Sequence, residues 1–373
     1  HLHLLRGAES AAARSVGAFF RSWDPAQAAR HPALRDWLEP LQEGAGLVFL
    51  AEDGAMLQED QAVAAAWTEH LRIAGPAGPA RCLVTGGTGP VALVHEKIRG
   101  IGLTSGTALI SFNAEAMESY GKNGAQGANA PVGTYAAHAY ACALNRLLLE
   151  PERIEQIGDF TIVCWQEDGD ARAQERFLAS VLRAGVPPAE MASEDRPADG
   201  AQFCVLVLYP NVGRLSVRLF RRAPLEKLLA NAAAHYARLE VQRPLFLRER
   251  LTPYRMMLEL LPRYKAAASA EADAVPPAQL ERNPFTVPLL AAILDDTPYP
   301  AALLPALLKR IYAEREVRYG KAALLKAFLC KNCGEPAVRA CATERLRADC
   351  DTPAYLLGRL FAALEALEAL QTR

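Results

Sequence analysis

The stretch Phe203–Phe220, FCVLVLYPNVGRLSVRLF, decides the fold class. From Phe203 to Tyr209 every residue is apolar, β-branched or aromatic and none is charged, which is the content of a buried strand. Arg214 to Phe220 reads as another strand, in which period-two alternation places Arg214 and Arg218 on one face, and Arg221 and Arg222 follow at its end. Upstream, Thr161–Gln166 (TIVCWQ) is a further strand, Ala171 to Ala184 a helix, and Pro187 to Gly200 a loop of Pro, Asp and Glu. Downstream of Pro224 almost everything has helical spacing, broken by prolines. The fold class is therefore α+β, a mixed N-terminal α/β portion followed by a mainly helical C-terminal portion. The domain boundary is placed near Pro224, giving a mixed α+β domain over 1–223 and a mainly helical one over 224–373.

The N-terminal third is mixed. Arg14 to Trp23 is a short amphipathic helix stopped by Asp24-Pro25, and Gly46–Ala51 (GLVFLA) has the composition of a buried strand. Gln61 to Ile73 returns to helical spacing, with Val63, Trp67 and Leu71 on one face. CLVTGG from Cys82, PVALVH from Pro90 and TALISF from Thr107 read as short strands broken by glycine. After the loop 113–131 a helix runs from about Thr134 to Leu149, with Tyr135, Ala139, Cys142 and Leu147 on its buried side.

Composition bounds the function. The chain has 373 residues, 51% hydrophobic and 22% charged, enough apolar content for a folded core and enough length for two or three domains. No run approaches the roughly 20 apolar residues of a membrane-spanning helix, and no secretory leader opens the chain, although its first residue is not Met. Eight cysteines are too scattered for a disulfide framework. Cys82, Cys142, Cys164 and Cys204 sit in apolar runs, as reduced core thiols do, so a cytoplasmic location is expected. Lys and Arg total 41 against 42 Asp and Glu, which argues against coating nucleic acid by bulk attraction but leaves room for a local basic face.

Motifs of catalysis and cofactor binding fall short. Thr85-Gly86-Gly87-Thr88-Gly89 follows a strand, as a dinucleotide-binding turn does, but Pro90–Val94 continues as a β-like run. No acidic residue stands about 20 residues on to hold a ribose, so an oxidoreductase is the remote alternative and a hairpin turn the better reading. Cys330-x-x-Cys333 with Cys341 and Cys350 has irregular spacing for a zinc site, and no metal or other cofactor is expected. None of the seven histidines lies in a nucleophile or metalloprotease motif, so the chain reads as a non-enzyme.

The positive signal is polar. Asn113, Ser119, Tyr120, Asn123, Gln126 and Asn129 surround Lys122 in a loop whose Gly121, Gly124 and Gly127 permit positive φ and close backbone approach. Side-chain amides carry both donors and acceptors, as reading base edges requires, while a lysine holds a phosphate. Between Phe203 and Lys265 basic residues far outnumber acidic ones, and a second basic run extends from Lys309 to Lys331. Two basic runs and an amide-rich loop favour a nucleic-acid surface over plain solvated helix faces.

At these residues the chain resembles the large subunit of the type I-C CRISPR surveillance complex, Cascade. The stretches that carry the likeness are CLVTGGTGPVALVHEKIRGI from Cys82 and ALISFNAEAMESYGKNGAQGANAPVGTYAAHAYACALNRLL from Ala108. FCVLVLYPNVGRLSVRLF from Phe203, PYPAALLPALLKRI from Pro298, YGKAALLKAFL from Tyr319 and TPAYLLGRLFAALEAL from Thr352 continue it in family order. Against that family the sequence looks shortened at both ends. The resemblance implies a non-catalytic subunit that reads a protospacer-adjacent motif in duplex DNA, assists R-loop formation and helps recruit the helicase-nuclease. Its implied partners are the backbone, crRNA-end and small subunits of Cascade, the crRNA, the target double-stranded DNA and that nuclease, with no membrane. Carried onto this chain, the loop Asn113–Asn129 is assigned to motif reading, and Lys97, Arg99 and Lys122 to nearby phosphates. Arg214, Arg218, Arg221 and Arg222 are assigned to the DNA backbone. The alternative is a purely structural scaffold subunit that touches proteins and not DNA.

Overall fold

Helix caps and glycine turns organise the first of two units into which the chain divides. The computed structural model describes residues 2–44, 46–50, 54–112, 114–118, 126–167, 169, 171–183, 201–242, 250–262 and 283–371. Unit 1 comprises His1–Lys97 with Ile110–Ala143, and unit 2 comprises Ile98–Leu109 with Leu144–Arg373. In unit 1, helix α1 (Ala11–Ser22) starts where the Ser10 hydroxyl accepts from the Ala13 N–H at 3.0 Å, and α2 (Gln61–Ile73) where the Asp60 carboxylate accepts from Val63 at 3.0 Å. Ala13 and Val63 close a small core with Ala8.

The expected strand at Gly46–Ala51 does not form among its described residues. Leu47, Val48 and Leu50 are exposed, and Leu50 makes one isolated bridge, to Met56. An apolar run becomes a strand only where a partner takes up its backbone groups, and this one meets none beyond that bridge.

The glycine-rich region shows the same logic. Strands β1 (Pro79–Arg81) and β2 (Thr88–Pro90) pair antiparallel and flank CLVTGG, which is therefore turn and not strand. The turn closes on Cys82, whose N–H donates to Gly87 at 2.8 Å and whose carbonyl accepts from Gly86 at 2.9 Å. Its thiol accepts the N–H groups of Gly133 at 3.1 Å and Thr85 at 3.4 Å. Burial alone would raise that thiol, but the Thr85 side chain and neighbouring amides outweigh it and bring it down to about 7. PVALVH likewise supplies only the end of β2 and the Val91–Gly133 bridge, while TALISF contributes β4 (Thr107–Ala108), preceded by β3 (Lys97–Ile98).

Helix α3 (Thr134–Leu147) forms as expected but is rotated from the expected buried face. Ala136, Ala137, Ala141 and Leu144 are buried, and Cys142 is exposed. Small residues allow close approach, so three alanines line most of the buried side, joined by Leu144 at its end. The other three thiols of the apolar runs, Cys82, Cys164 and Cys204, are buried.

Unit 2 is built on a six-stranded sheet of order β3-β4-β8-β7-β6-β5, with β5 (Ile154–Ile157), β6 (Phe160–Gln166), β7 (Gln202–Asn211) and β8 (Arg214–Pro224) antiparallel in turn. β4 joins β8 in parallel through Ala108 and Arg214. One face, carrying Ile162, Cys164, Phe203, Val205, Val207 and Leu219, packs with helices into a single large core. Helix α4 (Ala171–Phe177) runs into a π turn, Leu178–Leu182, and sets Phe177 on Phe203 at 4.8 Å between ring centroids. Fully burying each such ring contributes about 1.5–3 kcal/mol.

Pro224 is the junction at which β8 passes into helix α5 (Leu225–Leu239), whose Leu225, Leu228, Leu229, Ala232, Tyr236 and Leu239 fall on one buried stripe. Helices α6 (Pro253–Glu259), α7 (Thr286–Asp295), α8 (Leu303–Glu314) and α9 (Tyr319–Asn332) follow, and their apolar faces join the same core as the strands. The last long helix, α10 (Pro353–Gln371), exposes Leu357, Phe361, Leu364 and Leu370. The fold is α+β, with the sheet in the middle and helices at the C-terminus, as expected.

Candidate nucleic-acid interface

Strand β8 carries Arg214, Arg218, Arg221 and Arg222, and its register decides where each points. Val207 faces Leu219 and Leu208 faces Val217, so Arg218 is the extra residue of a β-bulge. Strict alternation is broken there, yet the Arg218 guanidinium lies over the Tyr209 ring at 5.2 Å, on the face to which Arg214 also belongs by its pairing with Asn211. Such a cation–aromatic contact orients the guanidinium without neutralising it. Arg218 and Tyr209 line a cleft of about 380 Å³ with Phe160, Asn283, Pro284 and Val287. The bulge and the cleft depend on register and on a distant helix, and no signal in the local sequence announces them.

The two arginines at the end of β8 are held by carboxylates. Arg221 makes bonds of 2.8 Å from Nε to both oxygens of Asp295, and Arg222 reaches both oxygens of Glu167 at 2.5 and 2.9 Å. The hydrogen bonds raise both guanidinium groups further above neutrality, and the Arg222 contact lowers the Glu167 carboxyl. The Arg222–Glu167 pair is solvent-exposed, with 53% and 42% of the two side chains accessible, so water competes for it. Lys97 and Arg99 are exposed, Lys97 in unit 1 and Arg99 in unit 2, and the Arg99 backbone N–H donates to the Asn145 amide oxygen at 2.8 Å.

Within the amide-rich loop, Asn113, Ser119, Tyr120, Lys122 and Asn123 lie outside the described residues. Gln126 has φ +30°, and its carbonyl accepts from the Asn129 side-chain amide at 3.1 Å, so Asn129 braces the turn in which both sit. Gly127 is required there by close approach: a Cβ on it would stand 2.0 Å from the Ala92 carbonyl oxygen.

The second basic run is not one solvated face. Lys321 is fully buried and paired with Glu314, Lys326 donates to the Glu240 carbonyl at 2.6 Å, and Lys331 pairs with Asp296 at 2.9 Å. These cations join α9 to its neighbours. Their spacing in sequence resembles a basic patch because α9 has to meet several carboxylates and carbonyls at once.

The Thr85–Gly89 turn leads into β2 and not into a helix, so its amides have no helix N-terminus behind them to hold a pyrophosphate. Among the C-terminal cysteines, the Cys341 and Cys350 sulfurs approach to 2.7 Å, while Cys330 donates to the Ala342 carbonyl at 3.3 Å and Cys333 faces the Glu335 carbonyl. Among the described residues, the group of ligand atoms close enough to share a cation is Glu96, His138 and Cys142, and none of those four cysteines belongs to it. His138 and Cys142 are four apart on α3, a helical spacing that places both on one face and is the sequence signal for this group.

An α+β protein whose cationic strand is partly held by its own carboxylates is the class that this geometry defines. The family described as CRISPR-associated protein (Cas_Csd1) matches residues 1–372, and the chain belongs to that family. It is a CRISPR-associated subunit of Cascade. No curated protein matches the chain. Among the described residues no helix is long and apolar enough to cross a membrane.

Proposed function

We propose that this chain is the non-catalytic large subunit of a type I-C Cascade, reading the protospacer-adjacent motif in duplex DNA and assisting R-loop formation and helicase-nuclease recruitment in the cytoplasm. The family match over residues 1–372 carries the reading. In such a complex guide pairing supplies most of the sequence information, and the protein needs only a short motif reader and backbone contacts. The loop Asn113–Asn129 has the amide chemistry for the first role. Arg218, Arg214, Lys97 and Arg99 supply cations for the second, with Arg222 recruited when a phosphate displaces Glu167. The exposed apolar residues of α10 suit docking to a neighbouring Cascade subunit, since exposed patches of that kind mark interaction surfaces.

The test uses the assembled complex with crRNA and short target duplexes. Lys122→Ala, Asn123→Ala and Gln126→Ala together should erase the preference for a correct motif over a mutated one. Arg214→Ala with Arg218→Ala should weaken binding to both duplexes and flatten the dependence of log K on log salt by about 0.9 per lost phosphate contact. The pairing of Arg221 with Asp295 and of Arg222 with Glu167 favours a second reading, a scaffold subunit that touches proteins alone. Unchanged discrimination and an unchanged salt slope in these variants would establish that second reading and end the first.

A further inference from the structure

A second chemistry sits in unit 1. The antiparallel bridge between Val91 and Gly133, with the Ala92 N–H donating to Val132 at 2.9 Å, lays the segment before β3 along the start of α3. His95 is buried and its Nδ1 meets the Tyr140 hydroxyl at 2.6 Å, which pins the segment to the helix one residue before Glu96. Glu96 is therefore held beside the exposed side of α3, where His138 and Cys142 project from successive turns. Glu96 Oε1 lies 2.5 Å from His138 Nδ1, and Cys142 Sγ lies 3.8 Å from Nδ1 and 3.4 Å from Nε2. The Trp67 ring packs edge-on against the His138 ring at 6.2 Å and restricts its rotation.

We propose that Glu96, His138 and Cys142 form a divalent-metal site whose preferred ion is Zn²⁺, bound through Oε1, an imidazole nitrogen and Sγ. The donor set selects the ion: thiolate and imidazole suit zinc, and a sulfur ligand disfavours magnesium and calcium. The spacing also suits it. A tetrahedral ion with Zn–S near 2.3 Å and Zn–N near 2.0 Å separates sulfur from nitrogen by about 3.5 Å, which the Cys142–His138 distances of 3.4 and 3.8 Å already bracket. The carboxylate, now hydrogen-bonded to Nδ1, moves back by about 1 Å to take its own position on the ion. Three protein ligands leave the fourth position to water. On binding, the Cys142 S–H bond breaks, its proton passes to solvent and the sulfur lone pair goes to the metal, so one proton is released per ion if the imidazole is neutral.

The experiment is a Zn²⁺ titration of the full chain, freed of metal and kept reduced, in competition with a chromophoric chelator. The wild type should take up one equivalent at this site. His138→Ala and Cys142→Ala should weaken that uptake at least tenfold, and Glu96→Gln should weaken it measurably, with circular dichroism unchanged because Glu96 and Cys142 are exposed and His138 is only half-buried. Cys341→Ser should leave it intact. Substituted Co²⁺ should show a thiolate-to-metal charge-transfer band that Cys142→Ala removes. No uptake by the wild type, equal uptake by His138→Ala and Cys142→Ala, or loss confined to Cys341→Ser would each overturn the assignment. None of these readouts depends on DNA binding, so this proposal and the one above fail separately.

Discussion

Acid should unfold unit 2 through one buried histidine. His235, on α5, is completely buried, with Nδ1 2.7 Å from the Tyr299 hydroxyl and Nε2 without a hydrogen-bond partner among the described residues. Arg238 stands nearby, paired with Asp296, which also receives Lys331. Burial and, to a lesser degree, the Arg238 charge together lower the His235 pKa to about 3, with Asp296 opposing only in part. In the unfolded chain the same imidazole titrates near 6.5. Below that pH the unfolded state binds a proton that the folded state refuses, so stability falls as pH falls from 6.5 towards 3. At about 1.4 kcal/mol per pH unit, this group alone removes about 3 kcal/mol between pH 7 and pH 4. Urea unfolding of the wild type and of His235→Gln at pH 7, 6, 5 and 4 isolates the effect, because the carboxylates contribute equally to both. The wild type should lose about 3 kcal/mol more than the variant over that range. Parallel pH profiles, or an NMR titration of folded His235 with a midpoint near 6.5, would refute the reasoning.

Three further outcomes follow from single positions. Val212 sits at the tip of the β7–β8 hairpin with φ +41° and 93% exposure, followed by Gly213 at φ +80°. A β-branched residue is strained there, so Val212→Asn should raise stability by about 1 kcal/mol in denaturant melts, and a loss would show that the tip makes contacts of its own. Lys321→Met leaves Glu314 without its buried cation and should cost about 3–5 kcal/mol, with Glu314→Gln on the same background recovering part of it; a cost under about 1 kcal/mol would mean that the pair is dispensable. Gly127→Ala drives a methyl into the Ala92 carbonyl and should expose the Asn113–Asn129 loop to limited proteolysis, whereas an unchanged cleavage pattern would deny that the close approach is needed.

Elements whose partners are close in sequence were the legible ones. The β7–β8 strands and the helix Gln61–Ile73 carry their pattern and their caps locally, and they form where expected. GLVFLA fails because strand formation needs a partner, and composition does not report one. The buried face of α3 is hard to see in the sequence because alanine is a weak marker of hydrophobic patterning although it lets a helix pack closely. At the candidate site, residue types were legible and engagement was not. Arg218 and Arg221 look alike along the chain, but one lies over a tyrosine ring and the other is held by Asp295, 74 positions away.

By itself the amino-acid order determined the α+β class, the segregation of charge hidden behind 41 basic and 42 acidic residues, and a likeness that the family match to Cas_Csd1 upholds at the level of a Cascade subunit. The first two follow from composition and local periodicity, which short-range sterics and hydrophobicity impose residue by residue, whereas the likeness rests on particular stretches occurring in family order. Tertiary structure alone decided how each cation is engaged, since Lys321 became a buried strut and Arg222 half of an exposed ion pair. It also brought Glu96 to His138, 42 positions along the chain, and to Cys142 on the same helix. Ion pairing and metal-ligand geometry act over a few ångströms, and only the folded backbone sets distances of that size between residues so far apart.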